Sequence, residues 1–472
     1  MHESRSAFLM ALVALLVPVG LAGEPAEPPP AQWIVFPCSE AGPAHGQRAP
    51  FVIGGVASER GAMASASDEV PTPYIIEPVA GIYDLDIWVD HFFDCDLSPG
   101  RLLDWACSGV TLDGHNAHDY RIRSFGQQDR GVPVVAALPG RVIAAIDGRF
   151  DKQTSWGGAA NYVIIDHGDG QEAYYWHLKK DSVAVQTGDW VEAGQQIGQV
   201  GSSGSSRWPH LHFATRVNGV AVEPSTGPCN PGRSGWKKQK RISRKTKLLD
   251  LGFTHKCPPA TKKWKNPPFA LARSGQIGED DNTLLLWFYI LNPRQKTSYV
   301  VKAYRPNGSL GYRSERRDLL LDRPVRWVLL WDGIDMSHLR GHQGTWTVVL
   351  RFDGRKLVEA PVEVVRSRSK SWNRPPVQPS KLRFRPQRAR ASLPLACVVK
   401  VAPIVDDLDY DIVSYHFQWS VNGEVVREVI SAARSDYLAA RTGKQGDRVT
   451  CVVTPLDDQS VGEPIQKKTV FQ

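Results

Sequence analysis

The chain has 472 residues, 42% of them hydrophobic and 22% charged, with a formal net charge of +8. It is too long for one ordinary domain and too apolar for a disordered chain. The excess of positive charge comes without a nucleic-acid recognition motif, which argues against nucleic acid as a partner.

In chain order, residues 1–22 read as a secretory signal. Arg5 lies in a short polar start, an apolar stretch runs from Ala7 to about Leu21, and Gly20 and Ala22 suit a signal peptidase. The stretch is short for a membrane span and contains Pro18, so export to the periplasm or medium is expected, with no stable membrane anchor. Residues 23–75, rich in Pro, Ala, Gly and Ser, read as a flexible lead-in. A denser segment covers 76–230. The stretch 231–256 reads as a basic linker, its run from Arg233 to Lys247 either solvated or docked on anionic cell-wall or envelope polymers.

From 257 to 366 the pattern is strand and turn, with LLLWFYIL, SYVVKAY, RWVLLW and TWTVVLRF as strands and Asn307-Gly308 and Asp353-Gly354 as tight turns. A linker, 367–380, leads to a last strand-rich unit, 381–472. Cys397, Trp419 and Cys451 follow one another there, and a Trp packed on a disulfide between two sheets is how an immunoglobulin-type sandwich builds its core. The expected fold class is therefore mainly β, with two C-terminal β-sandwich domains. The run Asp406, Asp407, Asp409 and Asp411 reads as a solvated loop in preference to a calcium site.

Export makes the seven cysteines disulfide candidates. Cys397–Cys451 is the first expected pair, and Cys95–Cys107, flanking a short loop, the second. Cys38, Cys229 and Cys257 leave one further pair and one odd thiol, which spacing does not assign. No CxxC spacing occurs, so a cysteine zinc site is not expected.

The chemistry sits in three histidine-bearing segments between residues 111 and 213: TLDGHNAHDY, HGDGQEAYYWHL and PHLHF. Residues two apart on a strand face the same side, so His210 and His212 project together, roughly 7 Å apart. One should bind a metal while the other stands by as a second catalytic group. His115 and Asp119 are ordinary zinc ligands, and two His with one Asp leave a coordination position open for water. The hairpin ending at His177 can bring that residue to the mouth of the same sheet. His118 and His167 read as structural.

GHNAHD, GVPVVAALPGRVIAA, NYVIIDHGDG, YYWHL, VQTGDWVEAGQQIGQVGSSGSSRWPHLHF and RVNGVAVEP together resemble the lysostaphin/LytM metallopeptidases over about Thr111 to Pro224. The resemblance implies an antiparallel-sheet peptidase domain that holds one zinc ion and cuts peptidoglycan peptides. Its metal motifs fall on His115, Asp119 and His212, its catalytic histidines on His177 and His210, and a substrate-contacting Asn on Asn161. The sequence departs from the family at Ala117, where Gly is common, and in GGAANYV. The segment before the motifs contains Asp84, Asp86, Asp90, His91, Asp94 and Asp96. It reads as a wall or cover of the substrate cleft pinned by Cys95–Cys107, in preference to a second metal site. HExxH is absent, which excludes a thermolysin-like general base. Two other readings stand beside this one: a non-catalytic regulator of other wall hydrolases, and an adhesin or binding protein carrying the peptidase as a passenger. All the catalytic candidates precede Pro231, so the chemistry is expected not to need the later units.

Overall fold

Period-two alternation builds the sheet that carries the histidines. The computed structural model describes residues 71–155, 157–255, 273–321, 325–369, 372–400 and 406–472. The expected signal, the lead-in up to residue 70, Cys38 and Cys257 lie outside the described residues.

The first unit comprises β1 (Trp88–Val89), β2 (His118–Arg121), α1 (Phe125–Arg130), β3 (Pro133–Val135), β4 (Gly140–Ile146), β5 (Tyr162–Asp166), β6 (Gln171–Trp176), β7 (Trp190–Val191), β8 (Gln196–Gln199), β9 (His210–Val217) and β10 (Val220–Ala221). The main sheet is antiparallel in the order β1-β2-β9-β6-β5-β4-β7, with β10 on β9, while β3 and β8 pair separately. Val163, Ile165, Ala173 and Tyr175 point from β5 and β6 into the core with Tyr120, Leu211 and Phe213. Burial of a Val, Ile, Leu or Phe side chain of this set contributes roughly 1.5–3 kcal/mol. The alternate residues, Tyr162, Ile164, Tyr174 and Trp176, are only partly buried on the opposite face.

The middle unit holds β11 (Lys247–Thr254), β12 (Gln276–Gly278), β13 (Thr283–Leu291), β14 (Lys296–Tyr304), β15 (Leu310–Arg313), β16 (Arg317–Leu320), β17 (Trp327–Asp335), β18 (Gly344–Phe352) and β19 (Arg355–Val365). A three-stranded sheet, β11-β13-β17, shares a core with a six-stranded sheet built on β12-β19-β18-β14. The runs LLLWFYIL and RWVLLW do not alternate because both faces of this small sheet are covered. Leu284, Leu286, Phe288 and Ile290 face the partner sheet. Trp287, Tyr289, Leu291, Trp327, Leu329 and Trp331 face the first unit and enclose its Trp88 and Trp208.

The last unit holds β20 (Lys381–Arg385), β21 (Leu395–Lys400), β22 (Ser414–Val421), β23 (Glu424–Ser431), β24 (Ser435–Leu438), β25 (Arg448–Leu456) and β26 (Ile465–Val470). Sheets β20-β21-β24 and β23-β22-β25-β26 close on one core around Trp419. This unit folds back onto the first. The Arg434 guanidinium pairs with Asp86 at 2.6 Å, and Ala432 N–H donates to the Gly131 carbonyl at 2.8 Å.

Three expectations need correction here. Residues 231–256 are not a free linker: Trp236 and Ile242 pack in the core of the first unit, Tyr74 bridges to Trp236, and Lys247–Thr254 is β11. Lysines and arginines on either side hid the short apolar segments that fold. Cys95 and Cys107 are not bonded to each other. Cys107 is joined to Cys229 across 122 residues of sequence, and Cys95 is a free thiol. The Asp104 carboxylate gathers the 106–110 turn by accepting from Ala106, Ser108 and Val110. That turn leaves Cys107 beside the 227–230 turn, whose Cys229 N–H donates to the Trp105 carbonyl. Cys397 and Cys451 share the core on facing sheets with Trp419, as the spacing suggested, but both are free thiols.

Candidate active site

Strand register assembles the site. β2 runs antiparallel to β9 with Asp119 opposite His212 and Arg121 opposite His210. β6 flanks β9 on its other side with Trp176 opposite His212, and His177 follows at once. His115 lies one turn before β2, in the loop that starts at Thr111. Residues paired across an antiparallel sheet share a face, so Asp119 and His212 stand together while His118 faces the other side. There His118 Nε2 meets both carboxylate oxygens of Glu223 at 2.9 Å.

One ligand atom from each of His115, Asp119 and His212 lies within 4.8 Å of the other two, and all three residues are buried. Asp119 Oδ2 is 3.2 Å from His115 Nε2, and Asp119 Oδ1 is 3.0 Å from His212 Nδ1. His115 Nδ1 is spent on the Phe92 carbonyl at 2.8 Å, which leaves Nε2 with its lone pair turned to the cluster. Burial pushes the Asp119 carboxyl up. The surrounding imidazoles of His115, His210 and His212 outweigh it and hold the group well below the usual carboxylate range. A buried carboxylate and two imidazoles form a donor set of the kind that holds a divalent metal.

His177 and His210 stand beside this cluster, their rings 4.7 Å apart. His177 Nδ1 meets the Ser203 carbonyl at 2.6 Å, and His210 Nδ1 meets the Trp208 carbonyl at 2.7 Å. Each contact fixes the Nδ1–H tautomer and leaves Nε2 as an acceptor. Burial pushes the His210 imidazole down to about 3, against the pull of Asp119, so it is neutral at ordinary pH. His177 has φ 65°, a left-handed conformation unusual for a residue with a side chain. Gly201 makes its anchor possible. A Cβ there would lie 2.4 Å from the Lys179 nitrogen and 2.6 Å from the Leu178 carbonyl carbon, so only glycine lets the 201–203 segment approach this closely.

The ladder continues away from the cluster. His212, Trp176, Tyr162 and Ile146 are successive cross-strand partners on β9, β6, β5 and β4. Tyr162 and Trp176 stack at 5.5 Å, and Ile146 is exposed. This aromatic floor was not foreseen from the sequence. The alternation in YYW and NYVII carried the signal, but only the register shows which face meets the histidines.

Asn161, expected as a substrate contact, has its side chain turned inward. It is fully buried; its Oδ1 accepts from the Arg149 N–H, and its Nδ2 donates to the Arg149 and Leu178 carbonyls. It ties the backbone at Arg149 to that at Leu178, directly after His177, and both hydrogens of its Nδ2 are used. His167 is structural as expected, with Nδ1 on the Pro139 carbonyl.

Residues 125–224 match the model of peptidase family M23. The chain is 39% identical over 94 residues to the DD-carboxypeptidase/endopeptidase Mpg of Neisseria meningitidis serogroup B, covering 20% of this chain and 21% of that one. It is 37% identical over 97 residues to the peptidoglycan DD-endopeptidase ShyC of Vibrio cholerae (21% and 22% of the two chains). It is also 36% identical over 98 residues to lysostaphin of Staphylococcus simulans (21% and 18%). The match thus spans only about a fifth of each of these relatives. The family match includes His177, His210 and His212 and begins after His115 and Asp119.

Proposed function

Because the chain carries a domain of peptidase family M23, we propose that the protein is a secreted zinc metalloendopeptidase that hydrolyses peptide bonds of bacterial peptidoglycan. The observation that carries this reading is the convergence of His115, Asp119 and His212 in one buried cluster. A zinc ion held by them would act as a Lewis acid and lower the pKa of bound water toward about 7. The chain's own residues do the rest. His210 and His177 have their rings fixed through Nδ1, so an Nε2 turned to the cluster can accept the proton of the attacking water and, once protonated, donate it as Nε2–H to the developing oxyanion. The Tyr162–Trp176 floor gives an extended peptide an apolar bed beside the cluster.

We read the two sheets around Trp419 as an immunoglobulin-type sandwich and assign the later units to spacing or binding on the wall. The complete donor set favours an enzyme over a non-catalytic regulator. Mass analysis of fragments released from purified wall by the full chain tests the proposal. New peptide termini that disappear with chelator are expected, and a zinc-loaded protein that releases nothing would overturn it.

A further inference from the structure

Asp119 has two oxygens with different neighbours. Oδ1 faces His212 Nδ1 at 3.0 Å and His210 Nε2 at 3.7 Å. Oδ2 faces His115 Nε2 at 3.2 Å and His91 Nδ1 at 3.3 Å. His91 comes from the segment before the M23 match, and it is not one of the three clustered donors. We infer that His91 is a positioning residue of the metal site, donating from Nδ1–H to Asp119 Oδ2 and so fixing the plane of the carboxylate. The inference rests on the metal-site reading above.

The terminal torsion of an aspartate is broad. A carboxylate that must offer one oxygen to a metal gains precision when a neighbour holds the other. His91 is built into place for this. Asp119 N–H donates to the His91 carbonyl and Asp90 N–H to the Asp119 carbonyl, both at 2.9 Å, so the two main chains are stitched together. Next to His91, the Asp90 carboxylate takes Arg121 Nε at 2.8 Å. The Arg121 guanidinium lies 5.1 Å from the ring centre of Trp208 and 5.2 Å from that of Trp327. A line of contacts therefore runs from the middle unit through Arg121, Asp90 and His91 to the metal-binding carboxylate.

The test is a chelator-competition titration of the full-length protein with zinc, comparing wild type, His91→Ala and His91→Asn. Asn places a side-chain N–H one bond from Cγ, where the His Nδ1 stands, so it can replace the donor without the ring. His91→Ala is expected to weaken zinc binding 10–100-fold, the usual range for a lost outer partner, while His91→Asn stays near wild type. Equal affinity in all three, or equal loss in both variants, overturns the inference. The cobalt-substituted proteins add a second readout. Wild type and His91→Asn should share one visible absorption spectrum; a changed coordination pattern would make His91 a ligand and overturn the positioning role. If wild type itself binds no zinc, the metalloenzyme reading fails instead, which separates the two outcomes.

Discussion

Asp119 and His212 stand opposite each other across the β2–β9 ladder, with Asp119 Oδ1 3.0 Å from His212 Nδ1. Two residues 93 positions apart thus meet through strand register, and a one-residue slip would turn them to opposite faces. His210 shares their face two residues along β9 but has its Nδ1 anchored to the Trp208 carbonyl. This difference separates the two histidines of the HLH segment.

His212→Ala should lose most bound zinc, since it removes one of the three proposed ligands. His210→Ala should keep about one equivalent and lose turnover by about 10²–10⁴-fold, as expected for an acid–base group. Elemental analysis together with peptide-release rates checks both. Equal zinc loss in two folded variants would contradict the division of roles.

Trp327→Ala should destabilise the protein by about 3–5 kcal/mol, the range for a buried aromatic truncation. It should also lower turnover, because Trp327 covers Arg121, the cross-strand partner of His210. A chain ended at Pro231 should not give a stable peptidase. It would lose Trp236 from the core and expose Trp88 and Trp208. This prediction departs from the expectation that the catalytic half stands alone. Thermal melts and assays on a small soluble peptide decide the matter; a fully active truncated protein would refute it.

Gly201→Ala should reduce activity by at least tenfold while leaving metal content close to wild type. The added Cβ collides with backbone at Leu178 and Lys179, next to His177, and not with the His115–Asp119–His212 cluster. Zinc content and rate measured on one preparation give the answer, and an unchanged rate would count against the His177 anchor.

Asp407→Asn should stabilise the protein more at pH 8 than at pH 4. Burial pushes the Asp407 carboxyl from its ordinary 3.8 to about 7, with the charges of Asp411 and Asp409 adding to it against hydrogen bonds from the 409 and 411 backbone. A raised folded value means that folding takes up a proton between these limits. Stability is full below about pH 3.8, falls as the pH rises toward 7, and is constant above. Asn keeps an oxygen for the two backbone N–H groups and removes the charge from the buried Oδ2, which has no hydrogen-bond partner among the described residues. The difference between the two pH values should be on the order of 1–2 kcal/mol, read from denaturant melts.

Non-reducing peptide mapping should find Cys107 joined to Cys229, and Cys397 and Cys451 available to alkylation after unfolding. Recovery of a Cys95–Cys107 peptide would contradict the structure.

The sequence alone determined the local parts. HLH after a proline, a histidine four residues before an aspartate, and a hairpin ending on His177 singled out five residues that the structure brings together. Their geometry depends on strand period and short turns, which neighbouring residues set. The continuous apolar runs LLLWFYIL and RWVLLW likewise announced strands, because burial of both faces leaves no polar alternation. Tertiary structure decided what depends on distant partners. Cys107 meets Cys229 rather than Cys95 because the Asp104-held turn and the 227–230 turn are brought together. Asn161 turns inward because the Arg149 and Leu178 carbonyls are there to receive it. His91 reaches Asp119 only because β1 and the residues after it lie along β2. Local periodicity fixes which face a side chain occupies; which residue it finds there is set by contacts between segments far apart in the chain.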